Sequence, residues 1–440
     1  MARPVGLTRL LYPSDGGAHA HAAGHGGARS TRDYAGCMRV STAERTQGRR
    51  RRQVYLIVGY GFFLVLVGSQ LATPLYRVYQ AEFGFSALTL TLIFGVYPLA
   101  VIAGLFVFGP LSDVVGRWLP LAVAPVLSVA ASLLFAAAGG TPALYVARAL
   151  QGLAVGAVSG AATAALAELE PRGDQRRAAL AATLATAGGV AVGPLLVGVL
   201  VEYAGGRALP FVVYLVLLAP AFAAPVLLRP RPGPRDGGGV RWRPRRPSAP
   251  PALRIFVATT AAATVAWAVA GLFLAIVPSY LALLLDTGNL ALLGALVFVM
   301  LALSCVAQVA GHALDARRAQ LVGLVGLIAG LAGVALAFPT RSLVVFLAGA
   351  ALTGVGHGLT WIGATSTINR ISPSERRAEV TSTYFAVIYL GVAVSAIGVG
   401  ALADVVSLQW AVYAFAAAAA IGALATLPLV AGADQPVTGR

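Results

Sequence analysis

The chain contains no lysine: all 32 of its Lys/Arg positions are arginine, set against 16 acidic residues for a net charge of +16. A phosphate-binding loop of the GxxxxGK type needs its lysine to reach the β and γ phosphates, so the chain is not itself a P-loop ATPase. Cysteine is nearly absent too. Cys37 and Cys305 supply neither a disulfide framework nor a metal cluster. Charge of either sign is scarce, at 11% of residues against 58% hydrophobic, and the mean hydropathy of +0.81 is far above that of a soluble domain. The apolar runs lack the strict alternation of a β-barrel. No nucleophile–base spacing, zincin helix or Gly-rich nucleotide motif is present, so the chain does not read as an enzyme.

What remains is a succession of apolar runs, each about the 20 residues needed to cross a bilayer. They predict twelve transmembrane spans at 54–73, 86–108, 118–138, 144–167, 179–202, 208–228, 254–284, 289–311, 320–338, 342–367, 380–403 and 409–431. Arginines cluster in alternate loops: Arg117, then Arg172, Arg176 and Arg177, then a run from Arg229 to Arg246, then Arg317 and Arg318, then Arg370, Arg376 and Arg377. The opposite loops hold only Arg77, Arg207 and Arg341. By the positive-inside rule this places both termini in the cytoplasm of a bacterial-type inner (plasma) membrane. Basic residues spread between spans are topology determinants, so the positive charge does not indicate a nucleic-acid partner.

Residues 1–52 are polar and Gly-rich, lack a signal-peptide core, and are expected to form a disordered cytoplasmic tail. Its His19, His21 and His25 read as composition rather than a metal site, and no metal or cofactor is expected. The Pro, Gly and Arg-rich stretch RPRPGPRDGGGVRWRPRRPSAPP reads as a cytoplasmic linker. The expected units are an N-terminal six-helix bundle (53–228), the linker (229–252), a C-terminal six-helix bundle (253–431) and a short cytoplasmic tail (432–440).

An internal repeat supports this division. Gly109 and Asp113 return as Gly311 and Asp315, Gly152 and Gly156 as Gly354 and Gly358, Pro171 as Pro373, Gly198 as Gly400, and Glu202 as Asp404, each 202 positions later (311 − 109, 404 − 202). Two homologous halves about an axis along the membrane normal make a transporter architecture.

The loop after the second span reads GPLSDVVGRW, with Gly109, Leu111, Asp113, Gly116 and Arg117 in a Gly-x-Leu-x-Asp-x-x-Gly-Arg pattern. Gly109 is placed to end the span, Gly116 to allow a tight return, and Asp113 to face helix N-terminal amides. Twelve spans in two halves with this loop resemble the major facilitator superfamily, in particular its proton-coupled drug and metabolite antiporters. The resemblance implies an all-α polytopic membrane protein, with two pseudo-symmetric six-helix bundles alternating access. It also implies that the loop motif latches the halves on the cytoplasmic side. Val114 and Trp118 stand where basic residues are common, leaving Arg117 as the motif's cation. Glu168, at the end of span 4, is its expected partner; the alternative is that Glu168 and Glu170 cap a helix end in water.

Arg148, Gln151 and Gly152 in span 4 resemble the family's Arg-x-x-Gln-Gly element, which implies a proton or substrate role for Arg148 and Gln151. A charge at that depth costs about 2.5–3.5 kcal/mol on insertion scales, and snorkelling to the interface is the competing reading. Gly152, Gly156 and Gly160 form small-xxx-small steps suited to close packing. In span 5, Gly189, Gly193, Pro194 and Gly198 resemble an antiporter-associated element, with Val197 departing from it, and this implies export.

No acidic residue lies near the middle of a span, so the proton candidates are Asp113, Arg148 and His357. Gln70, Trp267, Trp361, Tyr384 and Tyr389 are cavity candidates. The expected function is secondary active transport, as proton-coupled efflux of small amphiphilic compounds by a monomer in the lipid bilayer. Uptake by a symporter or facilitator is the alternative, and a non-transporting membrane sensor is a third reading.

Overall fold

The computed structural model describes residues 31–228, 250 and 252–432, and side chains from residue 48 onward. His19, His21 and His25, nearly all of the linker, and the tail from 433 lie outside the described residues. Among the described residues twelve helices are long and apolar enough to cross a membrane: Gly48–Phe83, Ala87–Val115, Trp118–Ala136, Thr141–Leu169, Gln175–Ala204, Leu209–Leu228, Leu253–Ala275, Leu290–Gly311, Ala316–Thr340, Leu343–Ile371, Arg377–Val405 and Leu408–Ala431. They are spans 1 to 12. Loops after even spans lie at the end nearest the chain termini, here the near end; loops after odd spans lie at the far end.

Local sequence explains the starts. Ser86, Asp174, Asn289, Asp315, Ser342 and Ser407 each accept a backbone N–H from the first turn of spans 2, 5, 8, 9, 10 and 12, satisfying donors that a helix N-terminus leaves open. Span 2 does not end at Gly109. It runs on to Val115 and stops at Gly116, whose φ of 101° suits a residue without Cβ. Pro110 sits inside the helix and does not stop it.

The first helix begins at Thr31 and runs to Ser69, so residues 31–52, expected to be disordered, are helical. That stretch has no proline, and a helix nucleated in an apolar span extends over Arg, Glu and Ala at little cost. Beyond Ser69 the chain breaks and resumes as Ala72–Phe83. Pro74 has no N–H to offer the Gln70 carbonyl, which takes the Thr73 N–H at 3.1 Å instead. Span 7 breaks likewise at Ile276 and continues as Val277–Leu285, because Pro278 cannot bond the Leu274 carbonyl. The two breaks are repeat equivalents.

Within the first half span 4 packs on spans 1, 2 and 3; in the second, span 10 packs on spans 7, 8 and 9. The halves meet through spans 2 and 11 and through spans 5 and 8, pairs that the repeat exchanges. Glycine permits the closest approaches. A Cβ on Gly156 would lie 2.7 Å from the Cα of Gly104, and one on Gly152 would strike the Tyr97 carbonyl. The third glycine of the row differs: Gly160 has nothing within 4 Å of a built Cβ, so close packing does not extend to it. Large apolar side chains such as Val126, Leu133, Val226 and Ile421 face outward, as a lipid-facing surface requires.

These contacts set opposite outcomes for two alanine substitutions in one helix. Gly152→Ala forces spans 2 and 4 apart and is expected to cost about 1–3 kcal/mol, the range for overpacking. Gly160→Ala is expected to be neutral or stabilising by up to about 1 kcal/mol. Thermal unfolding of the two purified variants in detergent reads the contrast.

Candidate functional site

Arg148 lies about two turns into span 4 and is fully buried, at 0% exposure, so the side chain does not snorkel. Its guanidinium fills the break in span 1. Nη1 donates to the Ser69 carbonyl at 2.7 Å and to Gln151 Oε1 at 2.8 Å, and Nε donates to the Tyr76 hydroxyl. Gln151 Nε2 donates to the Gly68 carbonyl at 2.8 Å. Ser69 and Gly68 are carbonyls that an unbroken helix would bond to Thr73 and Ala72, so the Arg-x-x-Gln pair replaces lost backbone donors. Four rings surround the cation, with Tyr76, Tyr97, Phe94 and Phe135 centroids 5.0, 5.6, 5.7 and 5.9 Å from Cζ, an arrangement that stabilises a desolvated guanidinium. Nη2 has no hydrogen-bond partner among the described residues. Gln70 belongs to this group rather than to the second half: it is buried at the break, and its Nε2 donates to Ser69 Oγ at 3.0 Å.

The other interior candidates gather in the second half. Trp267 of span 7 stands edge-on to His357 and Trp361 of span 10, at 5.2 and 5.3 Å between ring centroids. Tyr384 stacks on Trp361 at 5.9 Å, while Phe385 and Tyr389 of span 11 close the cluster. His357 Nδ1 lies 2.7 Å from Ser304 Oγ, which accepts from Gln308 Nε2 at 3.2 Å. When the Ser304 hydroxyl donates to Nδ1, the proton of the neutral imidazole is on His357 Nε2. Both His357 Nε2 and Trp267 Nε1 are buried without a partner among the described residues. Ser304 and Gln308 escape a reading of the sequence, although their i, i+4 spacing in span 8 puts them on one helix face.

At the near end, Arg117 gathers the loop motif. Its Nη1 lies 2.8 Å from Asp113 Oδ1, and its Nη2 lies 3.4 Å from Glu168 Oε1. Leu111 lies on the last turns of span 2 with this cluster. Asp113 does not have the buried setting expected of a proton site: its side chain is 53% exposed. Glu170 serves its own loop, accepting the Arg172 and Asp174 backbone N–H groups at 2.7 Å. Across the seam, burial and the facing charge of Arg176 hold the His312 imidazole below its ordinary pKa.

Span 5 is a packing element throughout. Built Cβ atoms on Gly189 and Gly193 would sit 2.6 and 2.8 Å from the Phe63 and Val67 carbonyls of span 1. Beyond Pro194 the partner changes to span 8, where Gly198 meets the Leu290 carbonyl and the Pro194 carbonyl meets Gly294. One helix thus binds its own half and the other half through glycine faces.

The sequence profile of the Major Facilitator Superfamily matches residues 58–347 and 309–439. The chain belongs to that superfamily. No curated protein matches it. Superfamily membership agrees with the twelve-helix architecture and makes the chain a secondary transporter, embedded in a membrane and acting on a small-molecule substrate.

The geometry around Arg148 makes a prediction for this superfamily member. Arg148→Gln is expected to leave two buried acceptors without donors, lowering stability by about 2–6 kcal/mol at about 1–3 kcal/mol for each unsatisfied group. Arg148→Lys should recover only part, since an ammonium cannot span Ser69, Tyr76 and Gln151 together. Unfolding of the purified variants in detergent measures both; native-like stability in Arg148→Gln would contradict the assigned packing role.

Proposed function

We propose that this protein is a proton-coupled exporter of small amphiphilic compounds, working as a monomer by alternating access in a bacterial-type inner membrane with both termini cytoplasmic. The observation that carries the reading is the aromatic cluster of spans 7, 10 and 11, with two buried ring nitrogens, Trp267 Nε1 and His357 Nε2, left unpartnered inside it. Buried donors without partners are costly, and a ligand acceptor offsets that cost. The substrate that fits is a compound with a flat apolar body and an acceptor oxygen: rings of Trp267, Trp361 and Tyr389 take the body, while Trp267 Nε1 and His357 Nε2 take the oxygen. Among the described residues Arg148 has no carboxylate within ion-pair distance, so the interior around it favours neutral or anionic ligands over lipophilic cations.

His357 is the proposed coupling site, since an imidazole on a Ser304–Gln308 chain exchanges a proton without a buried carboxylate. The glycine face and Pro194 of span 5 serve the seam between the halves, which supports the antiporter reading of that element.

Inside-out membrane vesicles give the test. Acidifying their lumen is expected to drive uptake of a fluorescent amphiphile bearing a carbonyl or carboxylate. Trp267→Ala is expected to raise the apparent KM about tenfold, the equivalent of one lost hydrogen bond. His357→Gln should abolish the proton-driven component and preserve substrate counterflow. Dye leaving the vesicles on acidification would instead establish uptake as the physiological direction.

A further inference from the structure

The two sequence elements GVLVE (198–202) and GALAD (400–404) close spans 5 and 11 at repeat-equivalent positions. Each ends in a carboxylate that crosses the seam to the first residues of a helix in the other half. Glu202 Oε2 accepts the Leu290 N–H of span 8 at 2.9 Å. Asp404 accepts the Ala87 N–H of span 2 at 2.9 Å through Oδ1, and the Leu88 N–H at 3.1 Å through Oδ2. Leu88 and Leu290 are themselves 202 positions apart (290 − 88), so donors and acceptors both obey the repeat. One turn before each acid, a glycine allows a close approach: Gly198 against the Leu290 backbone, and Gly400 against the Ala87 carbonyl and the Thr91 side chain.

From this geometry we infer that Glu202 and Asp404 are the positioning residues of the far-end gate: a symmetric pair of carboxylate caps that holds the halves together there and releases when protonated. The inference rests on the reading of the chain as an alternating-access transporter whose far end faces outward. An ionised carboxylate is held at a helix N-terminus by open N–H groups and by the helix dipole. Protonation removes the charge and one acceptor site, which weakens the cap. Both side chains are on the exposed rim, open to protons from that side.

The neighbouring charges leave the caps to act alone. Neither acid has an ion-pair partner within 4 Å among the described residues. Beside Glu202, Arg77 donates to the Thr287 carbonyl and Asp286 ends the helix before span 8. Arg207 is paired with Glu82 of the same half and donates to the Ala138 carbonyl at 3.0 Å. Beside Asp404 the facing groups on span 2 are the Ser86 hydroxyl and the two amides, with Ser407 and Gln409 following on span 12.

The test is conformational, so its failure is separable from failure to transport. Spin labels at Gly139→Cys and Thr340→Cys, far-end sites in opposite halves and away from the caps, report the gap in full-length protein lacking Cys37 and Cys305. At about pH 8, above the ordinary carboxylate range, a single short distance is expected; at about pH 3, below that range, a longer one should appear. Glu202→Ala/Asp404→Ala should show the longer distance at both pH values, each single substitution shifting the closed-to-open ratio roughly fivefold, the size of one helix cap. The native titration keeps the test decisive even if the double variant does not fold. A native distance unchanged by acid overturns the inference, as does a double variant that folds and stays as closed as the native protein.

Discussion

A bilayer offers no water to an unpaired backbone carbonyl, and this chain breaks two of its spans inside that environment. Everything around Arg148 follows from that constraint. Pro74 interrupts span 1, the break takes the regular helical donors from the Gly68 and Ser69 carbonyls and leaves Gly68 a long 3.4 Å bond from the Leu71 N–H, and span 4 answers with a guanidinium and a carboxamide three residues apart. The cation is then paid for by rings from spans 1, 2 and 3 rather than by a carboxylate. A charge that looks like a proton or substrate group is, in this conformation, the replacement for missing helix hydrogen bonds. Any movement of the Tyr76 segment has to break or carry these bonds, which couples the bend in span 1 to span 4.

The two ends of the bundle are held by different physics. At the near end the charges of Asp113, Arg117 and Glu168 pair within one half. Such exposed pairs contribute little stability. At the far end the halves approach closely through Gly198, Gly294 and Gly400, and carboxylates cap the opposing helices. Close packing and capping do not slide continuously. They are made or lost as units, which suits a seam that is either shut or open.

Much of this was legible in the residues. Twelve apolar runs became twelve helices, and the 202-residue offset correctly paired Glu202 with Asp404 and Gly198 with Gly400. The sequence did not reveal what those pairs touch, because a repeat relates positions within halves and not contacts across them. Span 1 extends past its apolar run to Phe83, since Arg77, Gln80 and Glu82 are helix formers beyond the apolar stretch. Gly109 misled as a stop because glycine inside a packed helix carries only a propensity cost, while Gly116 has the positive φ that ends one. Arg148, eight residues into its helix, read as a possible snorkeller because the aromatic rings that enclose it come from three other spans. Trp267, His357, Trp361, Tyr384 and Tyr389 were identifiable as interior candidates from type and depth; their assembly into one cluster needed the fold.

The account stands on the halves parting at the far end during every transport cycle. Cysteines in place of Gly139 and Thr340, far-end sites in opposite halves and away from the caps, can be bridged by a disulfide-containing bifunctional thiol reagent in protein lacking Cys37 and Cys305. Substrate flux through reconstituted protein, measured bridged and then after reduction, is the direct measurement. The predicted result is no flux while the bridge is intact and recovery on reduction; flux at the reduced rate through fully bridged protein would contradict alternating access at this seam.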